Sequence, residues 1–495
     1  MATMGNSLIA TVLRKLQVNK GAPRVWMQGK LPARAGFLPG VKYSVEQPSA
    51  EDRRVVLKLD PAGTRVVSVK IDSHGEQPVI DVNCKKFLSV FEGMNAVRVV
   101  IRQGEIHILP DAVEVKKADR VRRLEQALSS KTVSVASVSH GAGILSNALH
   151  VGLKQAGLHP HLVWANEIRD EVMEQAVSVN EAWDENTIAL TMPIQQLAFA
   201  DDYTLNRLPR PIILEGGLPC TAASLSGRAK KSLRMAEDDE EAGHLVAAFI
   251  ALIAKVNPVL VLLENVVPYY RTASASILRT VLKELGYNVQ ELDIDGGEYA
   301  IESRPRRVLV AITEGVEYDL AAMLAPPKQT MRVVEILDPV PLDDPSWSTM
   351  DYLVKKEARD KEAGKGFAMQ RIELTATKVG TLGKGYQKNR STEPKLVHPH
   401  DPTLMRLFTP AEHARLKGVP PHLIDGIDSK TFAHEILGQS VTWPAFRQLG
   451  EHLGHALSRG IVKVQKVVED VVVQIPVKPE PAAHDVENLP LFAVA

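Results

Sequence analysis

Short apolar runs alternate with segments of helical periodicity between residues 133 and 313, and this alternation limits the fold more than any other feature of the chain. The run Val133–Val138 precedes a helical pattern over Leu145–Ala156, and a helical pattern over Leu245–Lys255 precedes the run Val259–Leu263. Strands that are joined through helices run mainly parallel, and helices cover both faces of their sheet. The sequence therefore predicts an α/β fold with a mainly parallel, doubly wound sheet, in which ligands bind beyond the carboxyl ends of the strands.

The rest of the chain has other patterns. Before this region, β-branched runs such as Val55–Leu59 and Val66–Ile71 predict a small β domain, and a charged segment of helical periodicity follows them. After it, the alternation stops and predicts loops. The predicted division is an accessory β-rich domain (1–115), a helical linker (116–132), the α/β core (133–314), an inserted region (315–405), the C-terminal part of the core (406–473) and a flexible tail (474–495).

Positive and negative charges balance over the whole chain, but one segment has an excess of positive charge. The 59 lysines and arginines match 59 aspartates and glutamates, so a surface that binds nucleic acid would have to be local. Residues 355–395 hold eleven basic and five acidic side chains. This composition is compatible with a solvated surface, and its glycines are also typical of loops that approach a ligand closely.

Cysteine content and hydropathy limit the possible metal sites, membrane segments and cellular compartment. The two cysteines are too few for a disulfide framework or a four-cysteine zinc site, so we expect no metal centre, and we expect Cys84 to be a buried apolar residue. Apolar runs such as Leu245–Ala254 are shorter than the ~20 residues that cross a bilayer, and the N-terminus lacks a secretion-signal pattern. We therefore expect a cytoplasmic protein without a membrane segment.

Two chemically reactive side chains follow predicted strands. Cys220 comes after the run Ile212–Leu214 on a glycine-rich turn, where a cysteine becomes a nucleophilic thiolate if a proton acceptor or a positive field is near. An inert buried cysteine is the alternative. Glu264 ends the run Val259–Leu263, where partial desolvation would raise its pKa and allow it to donate a proton near neutral pH. A loop acid or helix cap is the alternative there.

Two further motifs are typical of ligand binding. Arg304 and Arg306 stand at alternate positions before a predicted strand, so both guanidiniums would face one anionic or carbonyl-rich ligand. The alternative is that they are surface charges on an edge strand. The turn His140–Gly143 would let a nucleotide approach the N-terminus of the following helix, although a plain tight turn has the same pattern. Glu167 follows the second strand, where an acid commonly holds ribose hydroxyls.

Taken in order, these motifs resemble the C5-cytosine methyltransferase family. The resemblance covers residues 133–313 and 403–457, includes Arg406–Glu412 and Gly438–Val441, and leaves a variable insert between. It implies the S-adenosylmethionine-dependent methyltransferase fold, with the insert 315–405 as the target-recognition region. It also implies a DNA (cytosine-5)-methyltransferase that acts on double-stranded DNA. An RNA cytosine methyltransferase and a non-catalytic DNA-binding protein on the same scaffold are the alternatives.

The resemblance also implies a role for individual residues. Cys220 would add to C6 of a flipped-out cytosine, and Glu264 would protonate N3. Arg306 would hold the carbonyl O2, with Arg304 supporting the site. The methyl donor would be S-adenosyl-L-methionine. Its predicted binding residues are Ser139, His140, Gly141, Gly143, Glu167, Ile168, Leu218 and Gln439.

Several positions depart from the family pattern. Ser137-Val138-Ser139 stands where Asp-x-Phe is usual, and Thr191–Ile194 lacks the acid expected after the third strand. Other departures are Thr221 for Gln, Glu302 for Gln and Gln439 for Asn. Because the reactive residues are retained, we expect an active enzyme with an atypical cofactor pocket.

Two short segments resemble protein-interaction modules. The stretch Pro23–Gly40 resembles small swapped-hairpin β domains of toxin/antitoxin regulators, and an accessory domain of another kind is the alternative. The segment Asn488–Phe492 resembles the pentapeptide that docks bacterial DNA-processing proteins on the replication sliding clamp. The alternative is that Leu489–Phe492 folds back on the protein's own surface.

Overall fold

The computed structural model describes residues 7–19, 21–47, 53–73, 75–219, 234–324, 326, 330–364 and 368–460. These residues form two compact units, and the boundary between them along the chain falls between Asp119 and Arg120. Cys220 and the segment Asn488–Phe492 lie outside the described residues, so what the sequence predicts for them stays a prediction. Within the described part of the chain, no helix combines the length and the apolar composition needed to cross a bilayer.

The first unit is built from antiparallel strands. A six-stranded sheet has the order β1-β9-β10-β5-β4-β6, and a four-stranded sheet has the order β2-β3-β8-β7. The strands are β1 (Leu8–Lys15), β2 (Gln17–Asn19), β3 (Ala22–Gln28), β4 (Lys42–Glu46), β5 (Val55–Leu59), β6 (Arg65–Val66), β7 (Ser68–Asp72), β8 (Gly75–Asn83), β9 (Ala96–Arg102) and β10 (Glu105–Pro110), with the short helices α1 (Lys30–Arg34) and α2 (Lys85–Leu88). The predicted β-rich N-terminal region is confirmed.

The predicted strand Val66–Ile71 is wrong in one respect, because the chain changes sheets inside it. Val67 is 1% exposed and separates β6, in the six-stranded sheet, from β7, in the four-stranded sheet. Its amide donates to the Val41 carbonyl, so Val67 still bonds to the segment that precedes β4, and the chain changes sheets after it. Cys84, predicted to be buried, is only half-buried because it caps α2 at the surface.

Helix α3 (Ala112–Ser129) follows, where the sequence predicts a charged helix. Its second half is held by a buried arginine. Arg120 is fully buried and donates to the Thr313 hydroxyl at 2.9 Å and to the Gly286 carbonyl at 2.9 Å. A planar guanidinium can serve several acceptors at once, so Arg120 fixes this end of α3 in the second unit.

The second unit contains the predicted parallel sheet. Its strands are β11 (Thr132–Val138), β12 (His159–Asn166), β13 (Ile188–Leu190), β14 (Ile213–Gly216), β15 (Leu260–Asn265), β16 (Tyr287–Asp295) and β17 (Pro305–Thr313). They lie in the order β13-β12-β11-β14-β15-β17-β16. β17 is antiparallel to both its neighbours, whereas the strands from β13 to β15 pair in parallel. The order reverses between β11 and β14, which makes this point the topological switch of the sheet.

Helices cover both faces of the sheet and explain why its strands are almost continuously apolar. They are α4 (Ile144–Gln155), α5 (Asp170–Val179), α6 (Ile194–Phe199), α7 (Asp202–Leu205), α8 (Leu245–Val256), α9 (Ala273–Glu284), α11 (Pro410–Leu416), α12 (Lys430–Gln439) and α13 (Trp443–Gly460), whereas α10 (Asp351–Glu362) packs within the inserted region. One core packs α4 and α13 against one face. The other core packs α6, α8 and α9 against the opposite face. The predicted α/β fold with a mainly parallel sheet is therefore confirmed.

The inserted region is more ordered than the sequence predicts. It contains α10 and the small sheet of β18 (Gln370–Ile372), β19 (Pro394–Val397) and β20 (Met405–Arg406). α10 buries little more than Leu353 and Asp360, so its apolar stripe is too narrow to be recognised as a periodic pattern. Two residues expected in loops are instead internal, because Tyr386 and Lys395 are both fully buried.

A buried ion pair joins the end of this region to the C-terminal part of the core. Both guanidinium NH₂ groups of Arg406 donate to Glu412 at 2.7 Å, and the two side chains are 2% and 0% exposed. Glu412 also accepts from the Thr409 amide and so completes a capping box at the start of α11. The motif therefore has a structural role.

Replacing Glu412 with glutamine is expected to lower the free energy of unfolding by about 3–5 kcal/mol, because it leaves the Arg406 charge buried without a counter-ion. The matched control is Glu335→Gln, which breaks the Arg332 pair where both side chains are about half exposed and should cost less than about 1 kcal/mol. Denaturant unfolding of the two variants checks this difference. Equal losses would contradict it.

Candidate functional site

The predicted site residues gather at the carboxyl ends of β11, β12, β14 and β15. The turn that contains Gly141 follows β11, and Glu167 follows β12. The segment that leads to Cys220 follows β14, and Glu264 lies near the end of β15. Because these strands are adjacent, residues that are far apart in sequence come together at the topological switch.

The glycine-rich turn has a defined conformation. Ser139, Gly141 and Gly143 all have positive φ, at 53°, 58° and 72°. The Asn180 side-chain amide donates to the carbonyl oxygens of Ala142 at 3.3 Å and of Gly143 at 2.9 Å. A Cβ atom at Gly143 would lie 2.4 Å from the Asn180 amide nitrogen, so glycine is required there. Sequence reasoning missed Asn180, which follows α5 and has no local motif around it.

His140 supports the turn from inside. It is 6% exposed, and the Trp183 indole nitrogen donates to its Nε2 atom at 3.1 Å. Desolvation lowers the pKa of His140 to about 3, so the ring is neutral near neutral pH. Its Nδ1 atom has no hydrogen-bond partner among the described residues. Trp183, a second residue that the sequence did not indicate, therefore fixes the side chain of a predicted cofactor residue.

Glu167 joins the first and second strand ends. One carboxylate oxygen accepts from the Gly141 amide at 2.9 Å, and the other accepts from the Ile168 amide at 3.0 Å. The neighbouring Ile168 side chain is 63% exposed. A carboxylate beside an exposed apolar side chain suits a nucleoside, whose ribose hydroxyls are polar and whose base has an apolar face. The residues present thus fit an adenosyl group.

Glu264 and Arg306 form the centre of the site. Arg306 Nε lies 2.8 Å from Glu264 Oε1, and the two side chains are 13% and 12% exposed. Glu264 lies within β15 and not at a helix cap. The next residue, Asn265, donates from its side-chain amide to the Leu218 carbonyl at 3.0 Å. A Cβ at Gly217 would lie 3.7 Å from Glu264 Oε2, so the segment before Cys220 runs directly beside this pair.

Arg304 has a different set of partners from Arg306. It is 3% exposed, and one NH₂ group donates to the Gly438 carbonyl at 2.7 Å. Its other NH₂ group lies 3.4 Å from Glu302, which is fully buried. The expectation that both guanidiniums face one ligand is not met, because β17 begins at Pro305 and strand alternation does not extend to Arg304. Arg304 instead connects the site to the C-terminal segment.

Gln439, the last predicted cofactor residue, ends α12 and is exposed. Gly438 before it packs against the inserted region, where a Cβ would lie 2.3 Å from the Lys384 amide nitrogen. Lys417 is fully buried and donates to the Ser440 carbonyl at 2.9 Å, and desolvation holds its pKa well below the usual range. This segment is therefore positioned by its backbone contacts.

Glu215 is a third residue that sequence reasoning missed. It is a single acid within an otherwise apolar strand and is 1% exposed. Desolvation is the main reason why its pKa rises to about 7. Glu215 lies near the carboxyl end of β14, which is one of the strand ends at which the site residues gather.

Known proteins are similar to this chain over the region that contains the site residues. The family model described as C-5 cytosine-specific DNA methylase matches residues 138–455. The solved structure of the S. pombe Dnmt2 methyltransferase has a TM-score of 0.51 and 18% identity, and the match covers 66% of this chain and 98% of that one. The Entamoeba histolytica methyltransferase EhMeth has a TM-score of 0.48 and 17% identity, with 65% and 98% covered. Among curated protein sequences, none matches this chain.

Proposed function

Because the chain belongs to the C-5 cytosine-specific DNA methylase family, we propose that it is a DNA (cytosine-5)-methyltransferase that acts through a covalent Cys220 adduct. The observation that carries this proposal is the Glu264–Arg306 pair beside the segment that leads to Cys220. The pair lies at the carboxyl end of β15 and the start of β17, beside the crevice where such a sheet takes a ligand.

The pair matches one edge of cytosine. N3 and the carbonyl O2 are neighbours on that edge and both accept hydrogen bonds. A protonated Glu264 would donate to N3, and the Arg306 guanidinium would donate to O2. In the free protein the two side chains bind each other at 2.8 Å, so each keeps the other in place until a base enters. The base must first leave the duplex, because neither C5 nor C6 can be attacked within the stack.

The chemistry then follows from the residue types. The Cys220 thiolate forms a bond to C6. Glu264 takes up a proton from solvent as the base separates it from Arg306 and gives that proton to N3, which neutralises the charge created by the addition. C5 becomes nucleophilic as an enamine carbon and takes the methyl group. S-adenosylmethionine, when bound, supplies that methyl group as part of a sulfonium cation. Loss of the C5 proton to solvent and departure of the thiolate, with the N3 proton passing back through Glu264 to solvent, leave 5-methylcytosine and the original enzyme.

The residues around the glycine-rich turn would hold the methyl donor. Glu167 would accept from the ribose hydroxyls, and the exposed Ile168 side chain would cover one face of the adenine. Gly141 has nothing within 4 Å of the position a Cβ would take, which leaves room for a ligand. The other proposed contacts are Ser139, His140, Gly143, Leu218 and Gln439.

DNA is the proposed substrate because the matching family model is described as a DNA methylase. The inserted region joins basic side chains to the site, as a nucleic-acid substrate requires. The amide of Leu382 donates to Glu302 at 3.1 Å, and the Thr381 hydroxyl donates to the Ser303 carbonyl at 2.7 Å. These two contacts are made one and two residues before Arg304. The exposed basic side chains nearby are Lys378, Lys384, Lys388 and Arg390, and such groups bind phosphates.

The test is methyl transfer from labelled S-adenosylmethionine to duplex DNA and to structured RNA, side by side. The expected result is 5-methylcytosine in DNA. Methyl transfer to RNA alone would show that the protein is an RNA cytosine methyltransferase, which is the alternative function. A protein that binds DNA but shows no affinity for S-adenosylmethionine would instead be the non-catalytic alternative.

A further inference from the structure

Glu215 is a buried acid that the proposed reaction does not use. It is the second-to-last residue of β14 and is 1% exposed. Its Oε1 atom has no hydrogen-bond partner of standard geometry among the described residues, and the polar groups beside the carboxyl are the hydroxyls of Ser137 and Ser146. A buried polar atom without a partner costs about 1–3 kcal/mol. The buried Glu215 carboxyl, with one oxygen left without such a partner, therefore indicates a place that a ligand completes.

The three groups lie at the base of the crevice. Ser137 is opposite Glu215 in the parallel register of β11 and β14, the two strands on either side of the topological switch. Ser146 is in the first turn of α4, three residues after Gly143. The cluster thus lies below the glycine-rich turn, at the point where an open α/β sheet binds its ligand.

Glu215 also lies between the two ends of the proposed reaction site. Glu167 follows β12 and Glu264 is on β15, and the order β12-β11-β14-β15 places about 14 Å of sheet between them. A methyl donor whose ribose is held at Glu167 must extend across β11 and β14 to reach a base beside Glu264. Its methionine end, which carries an ammonium and a sulfonium cation against one carboxylate, would then lie over Glu215.

The surroundings of Glu215 favour its neutral carboxyl more than water does. Desolvation raises its pKa to about 7, the hydroxyls of Ser137 and Ser146 lower the pKa, and the negative charge of Glu264 raises it. β11 and α4 therefore offer uncharged groups, whereas β15 offers an anion whose charge is already paired with Arg306. A positive charge placed beside such a carboxyl favours its ionised form.

Building on the proposed function, we propose that Glu215 binds the cationic methionine end of S-adenosylmethionine and gives up its own proton to solvent as the cation arrives. Ser137 and Ser146 face Glu215 from β11 and α4 and would orient its carboxylate.

Calorimetric titration of the full chain with S-adenosylmethionine, in buffers of different ionisation enthalpy, measures the protons released on binding. At about pH 6 the free carboxyl is protonated, so we expect release of close to one proton and an affinity about tenfold weaker than at about pH 8, where release falls toward zero. Glu215→Gln should bind with no proton release and with equal affinity at the two pH values. Glu174→Gln, an exposed position on α5, should behave as wild type.

Titration with S-adenosylhomocysteine identifies the cation, because this product keeps the ammonium and lacks the sulfonium. Equal proton release with both ligands assigns the ammonium, and release with S-adenosylmethionine alone assigns the sulfonium. Binding by the wild-type protein without proton release at about pH 6 would overturn the inference and leave the proposed function intact. If the wild-type protein bound neither ligand, the inference about Glu215 and the proposed function would both be contradicted. Because the wild-type titration decides this point, the result does not depend on how well the variant folds.

Discussion

Replacing Cys220 by alanine is expected to lower methyl transfer to duplex DNA by about four orders of magnitude or more, since removal of a covalent nucleophile leaves only binding and polar stabilisation. Without addition of the thiolate to C6, C5 of cytosine is too poor a nucleophile to take the methyl group. S-adenosylmethionine should still bind, because its proposed contacts lie around Gly141 and Glu167. The measurement is single-turnover transfer of a labelled methyl group, with cofactor affinity determined in parallel.

Cys84 provides the matched control. It is half-buried at the start of α2, in the N-terminal unit, and none of the site residues lies in that unit. Cys84→Ala should therefore transfer methyl groups at the wild-type rate. Substantial activity in Cys220→Ala, or loss of activity in Cys84→Ala, would contradict the assignment of the nucleophile.

The second large effect concerns Glu264. Glu264→Gln keeps the size of the side chain and a hydrogen-bond donor but cannot transfer a proton, so kcat should fall by about 10²–10⁴-fold. The KM for DNA should change much less, because the phosphate contacts of the inserted region are retained. Steady-state kinetics on a duplex substrate separate the two parameters.

Glu174→Gln is the control for removing a carboxylate, and it should leave kcat unchanged. The opposite pattern, a raised KM with kcat preserved, would assign Glu264 to substrate binding and not to proton transfer. The variant also removes the anion that faces Arg306, so its folding should be compared by thermal unfolding before kinetics are interpreted.

The α/β core could be predicted from sequence because its strands and helices carry strong periodic patterns. The run Val133–Val138, for example, corresponds to β11, and the helical pattern over Leu145–Ala156 corresponds to α4. Sheet order was not predictable in the same way, since the placement of β17 between β15 and β16 depends on tertiary packing. Likewise, α10 was missed because almost all of it faces solvent.

Within the site, motifs predicted where the reactive groups come together, but not which partners support them. Asn180 and Trp183 hold the glycine-rich turn through side-chain contacts across more than thirty residues, and no local pattern marks them. Arg304 was expected beside a ligand and instead binds the Gly438 carbonyl. Glu215 is a single acidic residue in an apolar run. The sequence pattern does not mark it, and its importance is seen only from its burial opposite Ser137 in the structure.

Covalent trapping tests the central claim most directly. A duplex in which 5-fluorocytosine replaces the target cytosine cannot lose its C5 substituent after methyl transfer, so the adduct should persist. Incubation with S-adenosylmethionine should give a denaturation-resistant protein–DNA complex, and peptide mass spectrometry should place the modified nucleotide on Cys220. Formation of 5-methylcytosine in ordinary DNA without any trapped complex, or a complex formed through Cys84, would contradict the proposed mechanism.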